Sequence, residues 1–143
     1  DNDLFTIEDA IKNKADITTG GAKNITVRVV DTHNKVKEAS ATINIDYPEI
    51  TSVTVKPVTG LKTPVSVDTK VADIASVGGT APITYSLPSG VSNNNSFKIS
   101  GTQVLVKTEI ADAGSYAVVV KATDSKNKTK NSVTTAFTVA AGE

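Results

Sequence analysis

The sequence predicts an all-β protein built as an antiparallel sandwich, and three observations carry that prediction. Its apolar residues are mostly Val, Ile and Ala, with Leu only at positions 4, 61, 87 and 105. Small β-branched side chains suit pleated, half-buried strands, whereas a helical bundle needs Leu and Ala at helical spacing. Apolar residues alternate with polar ones at period two, as at Ile25, Val27 and Val29, which is the signature of a strand with one buried face. Turn residues recur at roughly 8 to 12 positions, the rhythm of a sandwich.

The elements follow in order. LFTI near Phe5 is a strand, and TIEDAIKNKAD (6–16) reads as strand and loop, because its counterpart later in the chain, KISGTQVLVKTE, is strand-like. Ile25, Val27 and Val29 alternate along the next strand; the polar turn DTHNKVKE follows, and Ala39, Ala41, Ile43 and Ile45 alternate along the returning strand. INIDYPEITS (43–52) lacks a Gly/Ser run and so reads as a short, stiff junction, with Pro48 biasing Tyr47 towards extended geometry. ITSVTVK opens the second segment. PVSVDTKVADIAS holds one or two strands, the second around Val71 to Ala75; GGTAP is a turn, ITYSL a strand and LPSGVSNNN a loop. SFKIS and TQVLVK are strands. Gly114 to Asp124 reads as one strand, with Tyr116, Val118, Val120 and Ala122 on the core face and Ala117, Val119 and Lys121 opposite. The turn DSKNKTKN and a strand from Ser132 to Val139 close the hairpin.

The beginning of the chain repeats its end. Phe5 and Phe97 are 92 residues apart, while Gly21 and Gly114, and Asp31 and Asp124, are 93 apart. Self-similarity at a fixed period marks a tandem array of one unit. The sequence therefore predicts two domains: 1–46, a partial copy holding only C-terminal strands, and 47–143, a complete sandwich. The partial copy should expose an apolar face and open strand edges. Either a module has been cut through, or its missing strands come from a second chain.

Composition excludes several functions. Lys plus Arg equals Asp plus Glu at 15 each, so there is no basic stripe for nucleic acid. No apolar run approaches a membrane span. With no Cys, neither a disulfide framework nor a thiolate metal site can form. The chain has no Met and begins DNDLF, which predicts a segment of a longer product.

Three stretches carry a family resemblance. DAGSYAV (112–118) resembles the corner between strands E and F of immunoglobulin-like domains, usually D-x-G-x-Y-x-C. The resemblance implies that Tyr116, with Asp112 and Gly114, forms a tyrosine corner, and that Val118 replaces the disulfide Cys. ITYSLPSGVSNNNSFKISGTQ and AGSYAVVVKATDSKNKT are similar to the cadherin-like and immunoglobulin-like repeats of bacterial surface proteins. That likeness spans about 48–140, and 1–46 in weaker form, where Lys23 stands in place of Tyr116. It implies an immunoglobulin/cadherin-like antiparallel β-sandwich, in proteins where such modules serve as extracellular spacers or adhesion elements.

No cofactor is required. The resemblance implies calcium as the candidate, clamped by carboxylates at module junctions: Asp124 and Asp31 at the A-x-D positions, Asp46 in the linker, and Asp16 and Asp112 before the corner strand. Calcium needs six to eight oxygen ligands, yet the linker reads IDYPE where calcium-binding cadherins resemble D-x-N-D-N-x-P. The competing reading is that Asp31 and Asp124 bond to the amides of the turns they open. His33, the single histidine, reads as an exposed turn residue. Glu8 and Asp9 are adjacent, so on a strand they face opposite ways and cannot form a glycosidase pair. A Lys56–Asn131 isopeptide lacks an evident buried acid. Asn24, Asn94 and Asn127 fit the glycosylation triplet. For glycan binding there is no Trp, and only Tyr47 and Tyr85 lie outside the expected aromatic core.

These readings predict a non-catalytic structural or adhesive repeat of a secreted or cell-surface bacterial protein, acting as spacer, stalk or adhesion element. Its expected partners are neighbouring repeats of the same protein, another surface protein or glycan, and a second chain exchanging strands with the partial copy. Neither nucleic acid nor membrane insertion is expected. The alternative is a glycan- or protein-binding accessory module of an extracellular enzyme.

Overall fold

The computed structural model describes residues 5–7, 10–17 and 19–143, with side chains described from residue 10 onward. The chain divides into two compact units, Asp1–Pro48 and Glu49–Glu143.

The first unit contains two antiparallel hairpins. β1 (Phe5–Ile7) pairs with β2 (Ile11–Asn13), from Phe5 opposite Asn13 to Ile7 opposite Ile11. Glu8 and Asp9 lie outside the described residues. β3 (Gly21–Val30) pairs along its whole length with β4 (Val36–Ile45), from Gly21 opposite Ile45 to Val30 opposite Val36. Period-two alternation makes this hairpin amphipathic. One face carries Asn24, Thr26 and Arg28 opposite Thr42, Ser40 and Glu38. There the Thr42 hydroxyl donates to Asn24 Oδ1 at 2.8 Å, and the Thr26 and Ser40 hydroxyls lie 2.9 Å apart. The other face carries Ile25, Val27 and Val29 opposite Ala41, Ala39 and Lys37.

The second unit is a two-layer sandwich. One layer is the sheet β5–β7–β10–β9, from β5 (Ile50–Pro57), β7 (Lys70–Gly78), β9 (Phe97–Ser100) and β10 (Gln103–Val106). The other begins as β6 (Leu61–Lys62), β14 (Thr135–Ala140) and β11 (Gly114–Val118), and continues as β8 (Thr84–Ser86), β12 (Lys121–Thr123) and β13 (Thr129–Asn131). Neighbouring strands here are antiparallel, except that β6 runs parallel to β14, with Leu61 opposite Val139. Thr63 N–H extends that pairing to the Ala140 carbonyl at 2.9 Å.

Between the layers lies an aliphatic core in which Val71, Val104, Val106, Val118, Val120 and Val139 are fully buried. Burying each is worth about 1.5–3 kcal/mol. Two bulges fit the strands to it. Thr51 is the extra residue where the β5 register shifts, so Ile50 and Val53 both face inward although three apart. Val71 is the extra residue where β7 meets β10, which lets Val71 and its neighbour Ala72 both be buried. At one end the rings of Phe97, Tyr116 and Phe137 pack together, Phe97 edge-on to Phe137 at 5.6 Å and Tyr116 stacked on Phe137 at 6.1 Å.

Two sequence expectations need correction. Gly114 to Asp124 is not one strand: it breaks at Val119–Val120, and Val119, expected on the outer face, is buried. Its partner breaks too, into β13 and β14, leaving Val133 on the surface. The cause is topological, because the first half pairs with β14 and the second with β8 and β13.

Phe137→Ala should lower the unfolding free energy by about 3–5 kcal/mol. Val133→Ala, at a residue 80% exposed, should change it by less than about 0.5 kcal/mol. Urea unfolding of the two variants checks both values.

Candidate functional site

The break between β11 and β12 exposes a problem of backbone chemistry. Val119 has no strand partner, yet it is buried, and an unpaired buried N–H or C=O is costly. Asn94 solves it. This residue follows Asn93 at the start of a 3-10 turn (Asn94–Ser96) and is itself 2% exposed. Its Oδ1 accepts from Val119 N–H at 3.0 Å, and its Nδ2 donates to the Val119 carbonyl at 2.9 Å and to the Pro88 carbonyl at 2.8 Å. The carboxamide thus stands in for a neighbouring strand. Asn93 extends the substitution: its Oδ1 accepts from Ala117 N–H, and its own N–H donates to the Ala117 carbonyl. On the far side Ser132 N–H donates to the Val120 carbonyl, and Ser132 Oγ accepts from Val120 N–H. Sequence reasoning missed all three residues; the Asn run read as a loop. The usable signal was an Asn triplet opposite a run of three valines.

At the corner the Tyr116 hydroxyl donates to the Asp112 carbonyl at 2.8 Å. The Asp112 side chain is exposed. Gly114 opens β11 outside the left-handed φ region, and a Cβ there would meet nothing within 4 Å, so neither strain nor space requires glycine. In the first unit Lys23 holds the Tyr116 position and donates to Thr19 Oγ1.

Asp124 anchors the turn DSKNK. Its Oδ1 accepts from Lys126 and Lys128 N–H, both at 2.8 Å, while its Oδ2 accepts from Thr80 N–H at 2.9 Å, tying the turn to the GGTAP loop. Asn127 takes the left-handed conformation at φ 60°. The first unit repeats this turn as DTHNK. Asp31 Oδ1 accepts from His33 and Lys35 N–H, and Asn34 has φ 59°. No equivalent of Thr80 covers Asp31 among the described residues, and Asp31 is exposed where Asp124 is buried. Burial alone would raise the Asp124 pKa. The N–H groups of Thr80, Lys128 and Lys126, with the Lys128 ammonium, outweigh it and hold the carboxyl below its ordinary value.

These hydrogen bonds bear on calcium. Both Asp124 oxygens and Asp31 Oδ1 already face N–H donors, which a cation would have to displace. Asp16, Asp46 and Asp112 are exposed, and among the described residues no three His, Asp or Glu side chains gather where they could hold a metal ion. His33 is exposed in its turn, and Lys56 and Asn131 are both on the surface.

The surface offers shallow grooves. One of about 350 Å³ is lined by Ile83, Thr84, Tyr85, Ile99, Gly101 and Thr102; another of about 410 Å³ runs over Pro57–Gly60 and Ala136–Thr138. Neither is lined by a carboxylate, histidine or lysine. Tyr85 is half-buried, its hydroxyl 2.7 Å from Ser76 Oγ. Among the described residues no helix is long and apolar enough to cross a membrane.

The layered strands, aromatic corner and strand-crossing Asn define an immunoglobulin-like β-sandwich. The family model described as Putative Ig domain matches residues 48–141, and the chain belongs to that family. Modules of this kind are typically non-catalytic. Comparison with curated proteins gives no significant match.

Asn94→Ala should cost at least about 3 kcal/mol, because each buried group left unmade costs ~1–3 kcal/mol and three of them, Val119 N–H and the Val119 and Pro88 carbonyls, lose their partner; thermal and urea unfolding measure it. For Asp124, a depressed folded-state pKa gives stabilisation that is present above the unfolded value and lost as pH falls through the folded one. Asp124→Asn should therefore be less stable than the wild type at pH 7, with the gap closing below about pH 4. Urea midpoints at pH 7, 4 and 3 test the trend.

Proposed function

We propose that this chain is a spacer segment of a secreted or cell-surface protein, made of immunoglobulin-like modules in tandem, whose work is to hold neighbouring parts at a set separation. The repeated turn carries this reading. Asp31, Asn34 and Lys35 reproduce Asp124, Asn127 and Lys128 at a spacing of 93 residues, down to the left-handed Asn and the carboxylate-to-amide bonds. Such a repeat is what stacking one unit along a chain produces. The extracellular setting is supported by the family, whose modules are often extracellular. The adhesive form of the same reading would place contacts on loops and strand edges.

The test is binding. The intact chain, immobilised and probed with a glycan array and with cells, should show no saturable glycan ligand. Saturable binding abolished by Tyr85→Ala would replace the spacer with a glycan-binding accessory module. The spacer also works without a cation: the melting temperature should be the same in excess calcium and in excess chelator, within error, by calorimetry.

A further inference from the structure

Three Asn residues stand two positions before a Ser or Thr: Asn24 before Thr26, Asn94 before Ser96 and Asn127 before Thr129. In that triplet a transferase places a sugar on the carboxamide nitrogen and reads the hydroxyl two residues on. The three differ in what these groups already do in the fold.

Asn94 is buried, and its Nδ2 spends its hydrogens on the Pro88 and Val119 carbonyls. A sugar on that nitrogen would remove one donor and force a polar group into the core. Asn24 sits within the paired length of β3, where residues 24–26 lie opposite Thr42, Ala41 and Ser40. Its Oδ1 takes the Thr42 hydroxyl, the Thr26 hydroxyl faces that of Ser40, and the buried Ile25 pins the segment between them.

Asn127 is placed differently. It lies in the turn between β12 and β13, and Asn127, Lys128 and Thr129 are all exposed. The turn is held by main chain and by Asp124: Asn127 N–H donates to the Asp124 carbonyl at 3.0 Å, and Lys128 N–H to Asp124 Oδ1. Among the described residues, neither the Asn127 carboxamide nor the Thr129 hydroxyl has a hydrogen-bond partner. At φ 60° Asn127 occupies the left-handed region that Asn tolerates. The first unit supplies an internal control. Asn34 sits in the same turn at φ 59°, but Asn34, Lys35 and Val36 end without a hydroxyl.

We propose that Asn127 is an N-glycosylation site, and that Asn24 and Asn94 accept nothing in the folded chain. The Asn127 Nδ2 attacks the anomeric carbon of an oligosaccharide carried on a lipid pyrophosphate. The N–C bond forms as the C–O bond to pyrophosphate breaks, the lipid pyrophosphate leaves, and one amide proton is released. The fold loses no hydrogen bond in the exchange. In a cell the transfer rests on the extracellular setting proposed above; the acceptor geometry belongs to the folded chain itself.

The experiment therefore uses the purified, folded chain with a single-subunit oligosaccharyltransferase and a dolichyl-pyrophosphate-linked oligosaccharide. A short peptide carrying an Asn-Lys-Thr triplet is the positive control, and intact mass with peptide mapping is the readout. The expected product carries one oligosaccharide, on Asn127. Thr129→Ala should lose it entirely while its melting temperature stays unchanged, and Val36→Thr should gain a second oligosaccharide, on Asn34. Any of four results would overturn the proposal: an unmodified chain beside a modified control peptide, transfer to Asn24 or Asn94 in the folded chain, full transfer to Thr129→Ala, or no second oligosaccharide on Val36→Thr. None of these bears on the spacer reading, which stands or falls on ligand binding.

Discussion

A strand that passes from one sheet to the next within a layer runs through a buried gap where neither sheet pairs it, and its peptide groups have to be satisfied there. Val118, Val119 and Val120 make that passage here, all of them buried. The carboxamide of Asn94 closes the circuit on one side, and Ser132 does so on the other. Everything around the crossing depends on this. It allows β11 to pair with β14 and β12 to pair with β8, and so allows one strand to close both halves of a layer. It also fixes the loop after Pro88, whose carbonyl shares the same Nδ2. An aliphatic residue at position 94 would leave polar backbone stranded in the core.

Much of the fold was legible because the core obeys period two. Val53 and Val55, Val104 and Val106, and Phe137 and Val139 alternate as their strands require, and all are buried. Where the period failed, the cause was a tertiary constraint with no local signature. The bulges at Thr51 and Val71 place adjacent or three-apart residues on one face, and only the neighbouring strand reveals why. The break at Val119 was hidden for the same reason, since three consecutive valines fit a continuous strand as well as a crossing.

The candidate site was legible where side chains act on nearby backbone. An Asp opening an Asn-containing turn announces its hydrogen bonds in sequence, and Asp31 and Asp124 both make them. Asn94 acts across 25 residues on Val119, and nothing in its own neighbourhood distinguishes it from Asn93 or Asn95. The two Asp turns also show how context tunes one local motif. The same carboxylate is exposed at Asp31 and enclosed at Asp124, where the Thr80 loop adds a third amide.

The parallel pairing of β6 with β14 has a mechanical meaning. Leu61 and Lys62 enter the sandwich near its beginning, and Val139 and Ala140 leave it at its end, side by side and pointing the same way. When the two ends of the module are drawn apart, these strands slide along each other. Their hydrogen bonds, with the Thr63–Ala140 bond beside them, are strained together in shear. A hairpin pulled open from its tips yields one bond at a time. In this module those bonds tie the strand that follows β5 to the last strand, so they part together and not in turn.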